Sequence, residues 1–298
     1  MAFNNNTLTA CLLEQISDAV ISINKKGRID YISSSCKQLF CDFPLTHHGM
    51  LKSIVKEDRS RVTRAVRELS LVNKHTVVQF QLEPISSNQE ARWMEASLNA
   101  VFEESNQLER VVAVVRDITT RKKIENEWTH LALHDVLTDL PNRRLFDERA
   151  AQAIALAKRK EHLVSVIYMD CDNFKLVNDS MGHDIGDELL KAFTERVRHC
   201  IRETDTLARV GGDEFIILLT EMDSLEAVDL VVQRIVHSLR DAWSIDGAQI
   251  SLTPSIGIAV FPHHGKEAKA LIKHADIAMY RSKQRGGNQY HYYSPIVV

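Results

Sequence analysis

Two short stretches of the chain carry side chains that could do metal and phosphate chemistry. The first is Arg209-Val210-Gly211-Gly212-Asp213-Glu214-Phe215, in which two carboxylates follow a Gly-Gly pair. The second is Asp170-Cys171-Asp172, reached at the end of the apolar run Leu163 to Met169. Carboxylate oxygens are hard ligands suited to Mg²⁺. If the two stretches lie side by side, Asp170 faces Asp213 and Glu214. Three carboxylates from two strand ends would then hold two Mg²⁺ ions, an arrangement used for in-line attack on a nucleotide phosphate. Taken alone, Gly-Gly-Asp also fits an ordinary solvated turn, because Gly and Asp are common turn residues.

A third group lies downstream of Asp172. Asn178, His183 and Asp187 are polar residues near the start of a helix whose buried face is Leu189, Leu190, Phe193 and Val197. An Asp accepting from the N1 and N2 donors of guanine, with an Asn beside it, would select guanine over adenine. Each of the three also fits a helix cap or a loop hydrogen bond.

Elements of ordinary type must position these residues. Phe215 to Leu219 reads as a buried strand and Leu207 to Val210 as its partner, with the two glycines permitting a tight hairpin turn. Leu163 to Met169 is a near-continuous apolar run, the pattern of a strand covered on both faces. The turn-rich junction from His134 to Arg143 leads into a helix from Arg144 to Lys158, and Ser255 to Phe261 reads as a further strand.

The first half of the chain has a different pattern. Ala19 to Ile23 and Arg28 to Ile32 flank a hairpin turn ending in Gly27. Asp58 is placed to cap a helix bearing Val62, Ala65, Val66 and Leu69 on one face. Three more strands follow, Thr76 to Leu82, Ala91 to Asn99 and Arg110 to Val115, separated by turns at Pro84 to Asn88 and Glu104 to Gln107. This order predicts a small α+β domain with one curved antiparallel sheet. Between the halves, residues 117–135 are rich in charge and helix formers. Ile124, Trp128 and Leu131 have the spacing of a short coiled-coil seam between two copies, and packing on the following domain would use the same stripe.

Composition bounds the reading. A length of 298 residues suits two domains, and 44% hydrophobic with 26% charged residues is ordinary for a globular protein. The net charge of −3 gives no reason to expect nucleic-acid binding. No apolar run approaches the roughly 20 residues of a membrane helix, and no signal-peptide core opens the chain. Cys11, Cys36, Cys41, Cys171 and Cys200 are scattered without metal-type spacing, as expected of reduced thiols in a cytoplasmic protein.

Both halves resemble known families. Residues 8–125 resemble a PAS sensor domain, through Ser17-Asp18-Ala19-Val20-Ile21, Gly27-Arg28-Ile29, Glu57-Asp58-Arg59, Arg92-Trp93 and the exit Arg116-Asp117-Ile118-Thr119. No PAS cofactor is named by the sequence. His47, His48 and His75 do not follow a haem-ligating pattern, and Cys36 and Cys41 lack the context of a flavin-reactive cysteine. Residues 130–295 resemble a GGDEF domain, the diguanylate cyclase family. Its motifs appear in order as Asp135-x-Leu137-Thr138 with Leu140-Pro141-Asn142-Arg143, Asp170-x-Asp172-x-Phe174-Lys175-x-x-Asn178-Asp179, Gly182-His183-x-x-Gly186-Asp187, Arg209-x-Gly211-Gly212-Asp213-Glu214-Phe215 and Ala275-Asp276-x-Ala278-Met279-Tyr280-x-x-Lys283.

The resemblance implies a palm-like, nucleotidyl-cyclase-type α/β sandwich behind the PAS-like sheet, and condensation of two GTP into cyclic di-GMP with release of two pyrophosphates. Carried over by position, Asp170, the Cys171 carbonyl and Asp213 bind two Mg²⁺ (or Mn²⁺) with help from Glu214, and Asp213 helps deprotonate the attacking 3′-hydroxyl. Asn178 and Asp187 read guanine, His183 lines the nucleotide pocket, and Lys175 and Lys283 lie near the triphosphate. Relatives making a mixed dinucleotide carry a smaller residue at Asp187, so its presence favours the all-guanine product. Each domain would hold one GTP, so catalysis requires a homodimer. The alternative is a domain that binds GTP or cyclic di-GMP without turnover.

Two further features belong to this resemblance. Arg202-Glu203-Thr204-Asp205 matches the family's RxxD inhibitory product site, with Arg234 on the next helix (Leu225 to Asp241) as a candidate to complete it. The family commonly ends in Gly-Arg-Asn where this chain has Gly286-Gly287-Asn288. Loss of that phosphate contact predicts GTP affinity about tenfold weaker, on a scale of roughly 1.5 kcal/mol per charge-assisted bond, unless Arg285 reaches in instead.

Overall fold

The computed structural model describes residues 17–40, 47–84 and 90–295. Two compact units divide the chain between Glu127 and Trp128. The expected turn at Pro84 to Asn88 lies, beyond Pro84, outside the described residues, as do Cys11, Cys41 and the side chains of His47 and His48.

The first unit is one five-stranded antiparallel sheet with helices. Strands β1 (Ala19–Asn24) and β2 (Ile29–Ile32) precede helices α1 (Ser35–Leu39), α2 (His47–Ser53) and α3 (Lys56–Arg67); strands β3 (His75–Leu82), β4 (Arg92–Phe102) and β5 (Leu108–Asp117) follow. The strand order is β2-β1-β5-β4-β3. Alternation sets the core face: Phe80 and Leu82 from β3, Met94, Ala96 and Leu98 from β4, and Val111, Ala113 and Val115 from β5 pack together. Asp58 is not the helix cap. The helix starts two residues earlier with Val55 at its cap, and Oδ2 of Asp58 instead accepts the backbone N–H of Gln81 at 2.7 Å, tying α3 to β3. Val62 and Ala65 are buried as expected, whereas Val66 is 37% exposed.

Helix α4 (Thr119–Leu133) runs across the division between the units. It buries no side chain, and Ile124, Trp128 and Leu131 leave 46%, 72% and 57% of their surface exposed.

The second unit is built on a five-stranded sheet covered on both faces. Its elements are α5 (Arg143–Lys160), β6 (Leu163–Cys171), α6 (Phe174–Met181), α7 (His183–Arg198), β7 (Thr206–Gly211), β8 (Glu214–Met222), α8 (Leu225–Ser238), β9 (Trp243–Ile245), β10 (Ala248–Ile250), β11 (Pro254–Phe261), α9 (Ala268–Gln284) and β12 (Gln289–Tyr292). The sheet order is β12-β11-β6-β8-β7, antiparallel except for the β11–β12 pair. β9 and β10 form a separate hairpin.

Strand parity explains the continuous apolar runs. On β6, Ile167, Met169 and Cys171 join one core with Phe193 and Val232, while Val164, Val166 and Tyr168 join the other with Phe146 and Leu271. On β8, Phe215, Ile217 and Leu219 alternate likewise with Ile216 and Leu218. Full burial of each such side chain is worth roughly 1.5–3 kcal/mol, so these central strands are firmly held. Gly257 on β11 is required by close packing, since a Cβ there would meet the Ala275 carbonyl of α9 at 2.0 Å.

Candidate active site

The register of β6 against β8 brings the two acidic stretches together. Asp170 pairs with Glu214, and the Cys171 N–H donates to the Asp213 carbonyl at 3.3 Å. Asp213 sits in the two-residue turn between β7 and β8, where Gly211 pairs with Glu214 and Gly212 has φ +52. Glycine suits that left-handed position because it has no Cβ to clash. Asp170 is 4% exposed, and Lys283 from α9 places Nζ 2.5 Å from its Oδ2. Burial pushes the Asp170 carboxyl up to about 6; the Lys283 hydrogen bond opposes this and the Asp213 charge reinforces it. Burial opposes the charge of Lys283, but the hydrogen bond and charge of Asp170 outweigh it and hold the ammonium above its ordinary range.

Lys283 thus stands where a cation is wanted. Among the described residues no three acidic, histidine or cysteine side chains close round one point as a finished metal cage. The donors present are oxygens on rigid strand ends, and a buried carboxylate neutralised by an ammonium fits replacement by a hard divalent ion.

Asp172, two residues further on, is spent on scaffolding. Its carboxylate accepts from Thr253 Oγ1 (2.9 Å), Ser255 Oγ (2.6 Å) and the Asn288 N–H (2.8 Å). This bears on Gly287, whose φ is +72 and whose Cβ, if present, would lie 2.7 Å from Asp172 Oδ2. An arginine at 287 is therefore strained in this chain, quite apart from any phosphate it could reach. Arg285 is held elsewhere, with Nη1 2.9 Å from His291 Nε2.

The nucleotide-reading candidates follow directly from β6. Asn178 lies on α6, His183 opens α7, and Asp187 falls in the first turns of α7, with His183 and Asp187 exposed. Oδ1 of Asn178 is buried with no hydrogen-bond partner among the described residues. It lies against Gly186, where a Cβ would come within 1.9 Å, which accounts for glycine in that motif. Lys175 is exposed in the first turn of α6.

Arg209 ties the hairpin to the junction after α4. Its guanidinium donates to the Gly212 carbonyl from Nε (2.9 Å) and Nη2 (2.7 Å), and to Asp135 Oδ1 from Nη1 (2.9 Å). Asp135 Oδ1 also accepts from the N–H and Oγ1 of Thr138. Burial would raise the Asp135 carboxyl, but Thr138 and Arg209 outweigh it and hold it below its ordinary value.

The RxxD residues line a separate cleft of about 420 Å³, together with Arg149, Arg198 and Thr206. Asp205 is used locally, its carboxylate accepting from the Arg202 N–H (2.9 Å) and the Thr220 N–H (3.1 Å). Arg234 is not among the cleft residues: its Nε donates to the Cys200 carbonyl at 2.9 Å, and it borders a different concavity with Gln233 and Tyr290. Arg149 and Arg198, which the cleft does contain, escaped the sequence reading because nothing in their spacing links them to the RxxD turn.

In the first unit, an apolar cavity of about 100 Å³ is lined by side chains including Ile21, Met50, Phe80, Leu98 and Val115. Burial pushes the Cys36 thiol up, and it donates to the Val20 carbonyl at 3.5 Å. His75 is exposed and paired with Ser97 Oγ.

Residues 132–289 match the family model described as diguanylate cyclase, GGDEF domain, more than half of the chain. The chain belongs to the GGDEF family. Residues 13–123 match the PAS fold, so the two units are a PAS unit and a GGDEF unit. MucR of Pseudomonas aeruginosa, a bifunctional diguanylate cyclase/cyclic di-GMP phosphodiesterase, is 41% identical over 172 residues, 58% of this chain and 25% of MucR. The diguanylate cyclase TpbB of the same species is 38% identical over 160 residues, 52% of this chain and 36% of TpbB. The chain therefore spans about a quarter to a third of these relatives. The solved GGDEF domain of TpbB superposes with TM-score 0.53 at 36% identity, covering 54% of this chain and 94% of that one. The GGDEF domain of DgcB from Caulobacter crescentus, solved with cyclic di-GMP, gives TM-score 0.51 at 25% identity, covering 55% and 94%.

Proposed function

We propose that this protein is a diguanylate cyclase that condenses two GTP into cyclic di-GMP and two pyrophosphates, under control of its PAS unit. The observation that carries this reading is the meeting of Asp170, the Cys171 backbone, Asp213 and Glu214 at the adjoining ends of two interior strands, with Lys283 standing on the buried carboxylate. GGDEF cyclases use a divalent metal. Here Asp170, the Cys171 carbonyl, Asp213 and Glu214 would hold Mg²⁺ or Mn²⁺, two per site. The metal would neutralise phosphate charge and activate the 3′-hydroxyl.

The protein's own residues do the rest. Asp213, on a turn fixed by Arg209, would help remove the proton of the 3′-hydroxyl. Asn178 through its amide and Asp187 through its carboxylate read guanine, and His183 borders the base. Lys283, once released from Asp170, and Lys175 meet the triphosphate. Catalysis is mostly positioning, since preorganised charge does the work with little covalent participation. Each GGDEF unit holds one GTP, so two copies must face each other. The exposed stripe Ile124, Trp128 and Leu131 on α4 supports pairing of two copies through that helix. The cleft bearing Arg202 and Asp205 supports product feedback, because guanidinium groups bind guanine and phosphate.

Among the described residues no helix is long and apolar enough to cross a membrane, and Cys36, Cys171 and Cys200 are free thiols. Chromatography of the nucleotide product across a range of protein concentrations tests the reading. Cyclic di-GMP, formed with a rate per protomer that rises with concentration, is expected. A mixed or mononucleotide product, or binding without turnover, would replace it with another cyclase or a sensor.

A further inference from the structure

Tyr168 lies two residues before Asp170 on β6 and was not among the candidate site residues. It is 6% exposed, and its neighbours of the same parity, Val164 and Val166, are fully apolar. Packing alone asks for no hydroxyl at this position. Yet the hydroxyl donates to Glu214 Oε2 at 3.1 Å. The register makes this contact specific. Tyr168 pairs with Ile216 and Asp170 with Glu214, so Tyr168 and Glu214 are diagonal neighbours on one face of the sheet. A buried tyrosine hydroxyl needs a polar partner, and here the partner is a carboxylate of the site.

We propose that Tyr168 is a positioning residue for the divalent metal: its hydroxyl holds the Glu214 carboxylate in a ligating orientation. This rests on the reading that Glu214 assists at the metal. A glutamate on the edge of a turn has three side-chain torsions to fix before it can ligate. Anchoring one oxygen to a ring locked in the core removes most of that freedom and leaves the other oxygen to the metal. Two neighbours then organise the two carboxylates of this strand pair. Lys283 neutralises Asp170, and Tyr168 orients Glu214. Partners of metal-ligating carboxylates commonly carry 10- to 100-fold of metal affinity.

Tyr168→Phe removes one oxygen and keeps the ring, while the half-buried Glu214 can turn to water, so the fold is retained. Mn²⁺ is titrated into the full chain with a non-hydrolysable GTP analogue, and free Mn²⁺ is read by electron paramagnetic resonance. The expected result is a Mn²⁺ Kd raised about tenfold, with the Mn²⁺ requirement for turnover raised in step and kcat at saturating metal little changed. Repeating the exchange in a Glu214→Gln background should add nothing. An unchanged Kd in Tyr168→Phe, with Glu214→Gln still weakening Mn²⁺ binding, overturns the positioning role. So does an equal loss in both backgrounds, which would be general loosening of the strand. If Glu214→Gln itself leaves Mn²⁺ affinity intact, the assignment of Glu214 to the metal fails, and the proposal falls with it.

Discussion

Arg209 and Asp135 are 74 residues apart in the chain and 2.9 Å apart in the structure. Their side chains are only 11% and 24% exposed. Because the same guanidinium grips the Gly212 carbonyl, the turn that carries Asp213 is fixed to the junction following α4. Breaking this link is therefore expected to be felt at the carboxylates. Arg209→Ala should lower kcat at least tenfold and cost on the order of 3 kcal/mol, since it leaves Asp135 partly buried without its cation. Activity assays and thermal unfolding check both. Asp135 is held below its ordinary 3.8. The stability it supplies is full above that value and is lost as pH falls through the lower native one.

Asp170 titrates in the opposite sense. Its carboxyl is raised from 3.8 to about 6, so the metal-free fold holds this proton more tightly than the unfolded chain does. Stability from Asp170 is then greatest below 3.8 and declines as pH rises to about 6. Metal must displace the proton, so apparent Mn²⁺ affinity should be constant above about 6 and fall roughly tenfold per unit below it. Mn²⁺ titrations between acid and neutral pH measure this directly; a flat profile would contradict the assignment.

Gly287→Arg is expected to destabilise the protein rather than rescue a phosphate contact. The positive φ costs an L residue roughly 1–2 kcal/mol, and the new Cβ presses on the Asp172 carboxylate. Thermal unfolding should show a lower midpoint, and the KM for GTP should not improve. A tighter KM at unchanged stability would show that the loop adapts freely.

Product binding should depend on Arg202 more than on Arg234. Arg202→Ala is expected to raise the Kd for cyclic di-GMP at least tenfold, with initial rates unchanged, measured by calorimetry and by rates with product removed. Arg234→Ala should act mainly on stability through the Cys200 carbonyl. The reverse pattern would move the product site to the concavity that Arg234 borders with Gln233 and Tyr290.

The strands were legible in the sequence because burial on both faces writes itself as an unbroken apolar run, as in Val164 to Met169. The hairpin was legible because Gly211-Gly212 permits the positive φ that a tight turn between two apolar runs requires. Asp58 misled because a capping residue and a residue bonding across to a strand have the same type; only the fold places Gln81 beside it. The roles of Tyr168, Asp172 and Arg149 were hidden for a related reason. Each depends on which partner the sheet register or a crossing helix supplies, and no local spacing records that.

The most direct test is incubation of the purified protein with GTP and Mg²⁺, beside Asp213→Ala, following pyrophosphate and the nucleotide product. The account predicts cyclic di-GMP with two pyrophosphates per molecule from the unaltered chain and none from the variant. GTP bound without pyrophosphate release at any protein concentration, or equal turnover by Asp213→Ala, would contradict it.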